Sequence, residues 1–176
     1  MAWTLVGLYV VLLYSTLTIA FDVYVSLYDD IGKASMSSWI NLSFTAVGLV
    51  LLAWIMLCIR PGPTGYLALL LIGLVLAFCL QHLTIPAKRF HFLQYAPLTV
   101  LVFDAISLRC RTADKYVWTM AVVALIGLGD ETIQFILPDR YFGVLDLVIN
   151  AAAGLLTLVF IGFVWGDENY PVLCRR

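Results

Sequence analysis

The stretch Gly127–Gly154, GLGDETIQFILPDRYFGVLDLVINAAAG, places polar chemistry inside apolar sequence. The flanks read as membrane-spanning, yet this piece carries Asp130, Glu131, Gln134, Asp139, Arg140, Asp146 and Asn150. An ionisable side chain at the bilayer centre costs roughly 2.5–3.5 kcal/mol on insertion scales. Such groups are expected to face a bundle interior or a wet cavity and to mark function.

Composition supports the membrane reading of the flanks. Of 176 residues, 63% are hydrophobic and 12% charged, and the mean hydropathy is +1.01. Soluble domains carry about 25% charged residues. A net charge of −1 without a basic block excludes a nucleic-acid face, because phosphates demand clustered Lys and Arg. Cys58, Cys79, Cys110 and Cys174 show no CxxC or Cys/His metal spacing and read as small apolar packers rather than a disulfide framework.

A spanning helix needs about 20 mostly apolar residues. Six segments meet this: Trp3–Phe21, Trp39–Ile59, Tyr66–Leu83, Phe90–Leu108, Tyr116–Leu137 and Val144–Trp165. The expected fold is an all-α, polytopic transmembrane bundle forming one membrane domain over residues 1–176, with no second domain. The first segment lacks basic residues before its long apolar run and reads as a helix, not a signal peptide. Phe21–Trp39 is expected to be the longest connection, with Ser37 and Ser38 capping the second helix. Arg60–Gly65 is expected to turn with glycine supplying positive φ, and Pro138–Gly143 to stop the fifth helix.

Lys and Arg counts orient the bundle. The side of the N-terminus holds Arg60, Arg109, Arg111, Lys115, Arg175 and Arg176; the other side holds Lys33, Lys88, Arg89 and Arg140. The positive-inside rule then places both termini in the cytoplasm. Three of the four cysteines fall on that reducing side.

Helix geometry gathers the polar residues at one depth. Glu131 and Asn150 each lie roughly 9 Å below the outer ends of their helices at 1.5 Å per residue. Gly127, Glu131 and Gln134 share one helix face, and so do Asp146, Asn150 and Gly154. Lys88, His91 and Tyr95, at i, i+3 and i+7, precede and enter the fourth helix, also from the outer side. Pro97 there cannot donate to the Leu93 carbonyl and is expected to kink the helix beside them. These residues converge on one outward-opening polar pocket. Asp130, turned about 100° from Glu131, either meets another helix or backs the pocket. Asp104 is expected to pair with Arg109 or Arg111.

At these residues the chain resembles the VanZ-like family of bacterial integral membrane proteins. AKRFHFLQY supplies the Lys-x-x-His-x-x-x-Tyr pattern on Lys88, His91 and Tyr95. DETIQFILPDR supplies Glu131, Gln134 and Arg140, and DLVINAAAG supplies Asp146, Asn150 and Gly154. The match covers residues 88–154. The resemblance implies a cell-envelope protein of the bacterial inner (cytoplasmic) membrane, in a family named for a member linked to teicoplanin, a glycopeptide.

Two kinds of function fit these residues. In a binding protein, Lys88 and Arg140 clamp an anionic or lipid-linked envelope ligand, while Tyr95, Gln134, Asp146 and Asn150 complete its contacts. In an enzyme, Glu131 and His91 act as the acid/base pair and the two cations stabilise developing negative charge. The duller alternative is a structural subunit of a larger membrane complex. No metal is expected, since only His82 and His91 are available and no HExxH spacing exists. No cofactor is implied.

Overall fold

A computed structural model of the chain describes residues 1–83, 85–110, 112–137 and 140–166. Among them every regular element is helical: α1 (Ala2–Ser15), α2 (Leu17–Trp54), α3 (Pro63–His82), α4 (Phe90–Ser107), α5 (Asp114–Ile136) and α6 (Val144–Val159). A π-helical turn, Ile55–Ile59, extends α2, a second, Phe160–Gly166, extends α6, and a 3-10 turn, Pro86–Arg89, leads into α4. Five stretches are long and apolar enough to cross a bilayer: Phe21–Ile59, Pro63–His82, Pro86–Ser107, Asp114–Ile136 and Val144–Gly166. The protein is an all-α, multi-pass membrane protein whose exposed Leu70, Leu71, Leu74 and Phe78 meet hydrocarbon rather than water.

Two expectations for the N-terminal half are corrected. The first helix ends at Ser15 after 14 residues, about 21 Å at 1.5 Å per residue and short of the roughly 30 Å hydrocarbon core. The expected connection Phe21–Trp39 is itself helical, broken only at Gly32, where φ is +75° and ψ 164°. Its acidic and serine residues lower apolarity without preventing helical backbone, and only glycine takes that φ cheaply. Ser37 and Ser38 therefore cap nothing. The Ser38 hydroxyl donates to the Ala34 carbonyl one turn back (3.0 Å), as a serine inside a helix does.

The turn after α2 also differs in detail. Its left-handed residue is Arg60 (φ 50°, ψ 62°), whose N–H donates to Ile55 O, while Gly62 is extended and Pro63 opens α3. The stop expected at Pro138, Arg111 as a partner of Asp104, and Cys174 lie outside the described residues. Cys58, Cys79 and Cys110 are free thiols.

The described residues group into two compact units, one of 1–20 and 90–158, the other of 21–89 and 159–166. In the second unit, Ile55, Ala68 and Val164 form a small apolar core with Ile59, Leu69, Val159 and Phe160 around it. In the first, α1 packs on α4 and α5, and two tyrosine hydroxyls fasten it. Tyr9 donates to Gln94 O (2.8 Å) and Tyr14 to Ile126 O (2.7 Å). The Tyr9 bond falls beside the carbonyl that Pro97 leaves without its helical donor.

Interhelical hydrogen bonds in membranes average about 0.6 kcal/mol and reach about 1.7. Tyr14→Phe is expected to lower stability within that range. Thermal unfolding of the purified protein measures it, and no loss would show that the hydroxyl does not hold α1.

Candidate functional site

The first unit gathers polar side chains from α4, α5 and α6 around the C-terminal turns of α5. Gly127, Asp130, Glu131 and Gln134 are buried on α5, Tyr95 on α4, and Asp146 and Asn150 on α6. Glu131 and Tyr95 retain no exposed surface, and Asp130 and Asn150 retain 1% each. Burying carboxylates in this way is tolerable only when other groups replace their water.

Those groups are identifiable. The Gly143 N–H donates to Glu131 Oε2 at 2.8 Å, closing the segment before α6 over the carboxylate. The Gly143 carbonyl in turn accepts from Asp146 N (2.9 Å) and Leu147 N (3.2 Å), starting the helix. A Cβ at this position would collide with the Asp146 carboxyl, so the sharp approach requires glycine. Tyr95 Oη donates to Asp130 Oδ2 at 3.0 Å.

Gln134 joins the parts. Its Nε2 donates to Asp130 Oδ1 (3.2 Å) and, more weakly, to Glu131 Oε1 (3.5 Å), while its Oε1 accepts from Arg140 Nη2 (2.8 Å). An amide suits this place because it both donates and accepts. Its orientation is fixed by the carboxylates on one side and the guanidinium on the other. Arg140 is half-buried at the edge. His91 lies on the other flank, its ring 6.2 Å from that of Tyr95.

The α5–α6 interface is tight. A Cβ built on Gly127 would lie 3.4 Å from Asn150 Nδ2 and 3.5 Å from Tyr95 Cε1. Asn150 sits in this contact with neither amide atom hydrogen-bonded among the described residues.

The structure thus brings together seven of the eight expected residues: His91, Tyr95, Glu131, Gln134, Arg140, Asp146 and Asn150. Lys88 is different. It precedes α4, on the 3-10 turn Pro86–Arg89, and belongs to the other unit. The enclosed carboxylates also show that the cluster is roofed by the Arg140–Gly143 segment rather than lined by free surface.

Asp130 was missing from the expected site. A face drawn from Glu131 excludes it, but α5 is bracketed by two partners. Asp130 turns toward Tyr95 of α4, while Glu131 meets the approach to α6. The clue in the sequence was the adjacency of two carboxylates in an otherwise apolar helix. Of the residues in the pairing expected for Asp104, Asp104 is buried and Arg109 exposed. Among the described residues, no group of three His, Cys, Asp or Glu side chains is arranged to hold a metal ion.

Tyr95→Phe removes one donor from the buried Asp130 carboxylate and adds no bulk. A buried carboxylate that loses a hydrogen bond costs about 1.5–3 kcal/mol. A fall in thermal stability of that order is expected, and an unchanged melting temperature would show that the bond does not support the cluster. Comparison with protein families, with curated proteins and with solved structures found no match.

Proposed function

We propose that this is a VanZ-like protein of the bacterial inner membrane, with both termini cytoplasmic, whose cluster binds an anionic or lipid-linked envelope ligand and thereby alters glycopeptide (teicoplanin) susceptibility. The observation that carries the reading is the Gln134 bridge, which links a half-exposed guanidinium at the edge to enclosed carboxylates within. Three carboxylates, Asp130, Glu131 and Asp146, are buried in this cluster, so a ligand that is only anionic would meet repulsion there. A ligand fits better when its phosphate meets Arg140 and its hydroxyl or amine groups donate to the carboxylates, as a lipid-linked sugar phosphate can. Entry then requires the Arg140–Gly143 segment to lift from Glu131.

Titration of the purified protein in lipid discs with a polyprenyl-phosphate-linked sugar tests this directly. Saturable binding, and a changed teicoplanin susceptibility in cells expressing the protein, are expected. Absence of both would remove the reading.

One observation favours a second reading, an acid/base enzyme acting on an envelope lipid. Asp130 and Glu131 are adjacent buried carboxylates sharing one amide, with a phenol on one and His91 beside that phenol. Carboxylates held apart from water in this way are suited to exchanging a proton with a bound substrate. Turnover of the same lipid-linked sugar, lost in both Glu131→Gln and His91→Ala, would establish it. Binding without product would exclude it for that substrate.

A further inference from the structure

The second unit contains cationic chemistry that the cluster above does not use. Arg89 is 6% exposed, and its guanidinium is held by neutral acceptors. Nη1 donates to Ser37 Oγ (2.8 Å) and Asn41 Oδ1 (2.7 Å), Nη2 donates to Leu83 O (2.9 Å), and Nε is buried without a partner among the described residues. Among the described residues no carboxylate balances this charge. A buried cation without a counter-charge is costly, and an anion drawn to its vicinity offsets part of that cost.

A cleft of about 180 Å³ lies against the same turn, lined by Tyr24, Val25, Tyr28, Lys33, Ile85 and Pro86. The turn itself connects the two features, since Pro86 lines the cleft and begins the 3-10 turn that ends at Arg89. Tyr24 and Tyr28 stand one turn apart with ring centroids 5.9 Å from each other. Lys33 would not reach them on a straight helix, because nine residues at 100° each place it on the face opposite Tyr24. The break at Gly32, with φ +75°, is what returns Lys33 to the cleft. Lys33 has no ion-pair partner among the described residues, and Asp29 and Asp30 are exposed and do not line the cleft.

We propose that this cleft binds a phosphate ester, with the Lys33 ammonium and the tyrosine hydroxyls as donors, beside the turn that ends at Arg89. Val25, Ile85 and Pro86 supply an apolar edge beside the polar donors. In a membrane protein that combination suits the head group of an anionic phospholipid, and a soluble phosphate would share the polar half of the site.

The full chain is purified in discs of phosphatidylcholine with phosphatidylglycerol, and retained lipid is measured by native mass spectrometry. Inorganic phosphate is titrated separately against the protein in phosphatidylcholine alone, with binding followed by phosphorus NMR. Retained phosphatidylglycerol that falls about fivefold in Lys33→Ala, the worth of one basic residue at a lipid surface, supports the site with lipid as its source. Phosphate binding lost in Lys33→Ala, with no retained lipid, supports it with a soluble source. Lys33 is exposed, so its replacement leaves the fold intact, and Arg109→Ala, an exposed cation of the other unit, should change neither readout. Gly32→Ala, which disfavours the break without removing a charge, is expected to reproduce the Lys33→Ala loss. Neither ligand binding, or binding indifferent to Lys33, overturns the proposal.

Discussion

Gly127→Leu is expected to leave little folded protein, whereas Gly73→Leu should fold normally. A Cβ at Gly127 would already sit 3.4 and 3.5 Å from two atoms of Asn150 and 3.5 Å from the Tyr95 ring. Three further carbons must displace one of those side chains or part α5 from α6. Moving Tyr95 also breaks its bond to Asp130, so the steric cost and the polar cost arrive together. Overpacking typically costs about 1–3 kcal/mol and occasionally more, and the lost hydrogen bond to a buried carboxylate adds about 1.5–3. Gly73 faces open space within 4 Å, and leucine is the better helix former by roughly 0.8 kcal/mol. The fraction of monodisperse protein after size-exclusion chromatography and its thermal unfolding compare the two. Equal behaviour of the two variants would mean that α5 and α6 do not approach closely at Gly127.

Arg140→Ala is expected to lower affinity for a polyprenyl-phosphate-linked sugar by tenfold or more, while Glu131→Gln stays within about twofold. Hydrogen bonds to charged groups contribute about 1.5–3 kcal/mol, which corresponds to roughly 10- to 150-fold in affinity. Arg140→Lys should recover only part of the loss, because an ammonium keeps the charge but not the planar fork. The glutamine substitution is mild for a structural reason. Its amide oxygen can still accept the Gly143 N–H that now reaches Glu131 Oε2 at 2.8 Å, so the segment over the cluster keeps its anchor. The opposite order, with Glu131→Gln the damaging change and Arg140→Ala tolerated, would remove the binding reading and favour proton exchange at the carboxylate.

Much of the site is legible in the sequence. Spacing of three and four residues placed Gly127, Glu131 and Gln134 on one face of α5, and Asp146, Asn150 and Gly154 on one face of α6, and these residues are buried there. The cost of polar groups in hydrocarbon turned that spacing into an inward-facing cluster. What spacing could not supply was the partner on each side of a face. Spacing left Asp130 between meeting another helix and backing the pocket, and the bond from Tyr95 of α4 decides for the other helix.

The helical and membrane-spanning character of the chain follows from its residues, because apolar runs of this length leave the backbone no other way to satisfy its hydrogen bonds in lipid. Polarity misled at Phe21–Trp39, where charged residues suggested a loop and the backbone stayed helical on either side of Gly32. Assembly in three dimensions settled the rest: the Gly143 N–H over Glu131, the Tyr9 and Tyr14 hydroxyls on distant carbonyls, and the return of Lys33 to the tyrosine cleft. A backbone N–H or a hydroxyl has the same local signature whatever it will meet. Its partner is set by which helices pack together, and that depends on the whole chain rather than on any window of it.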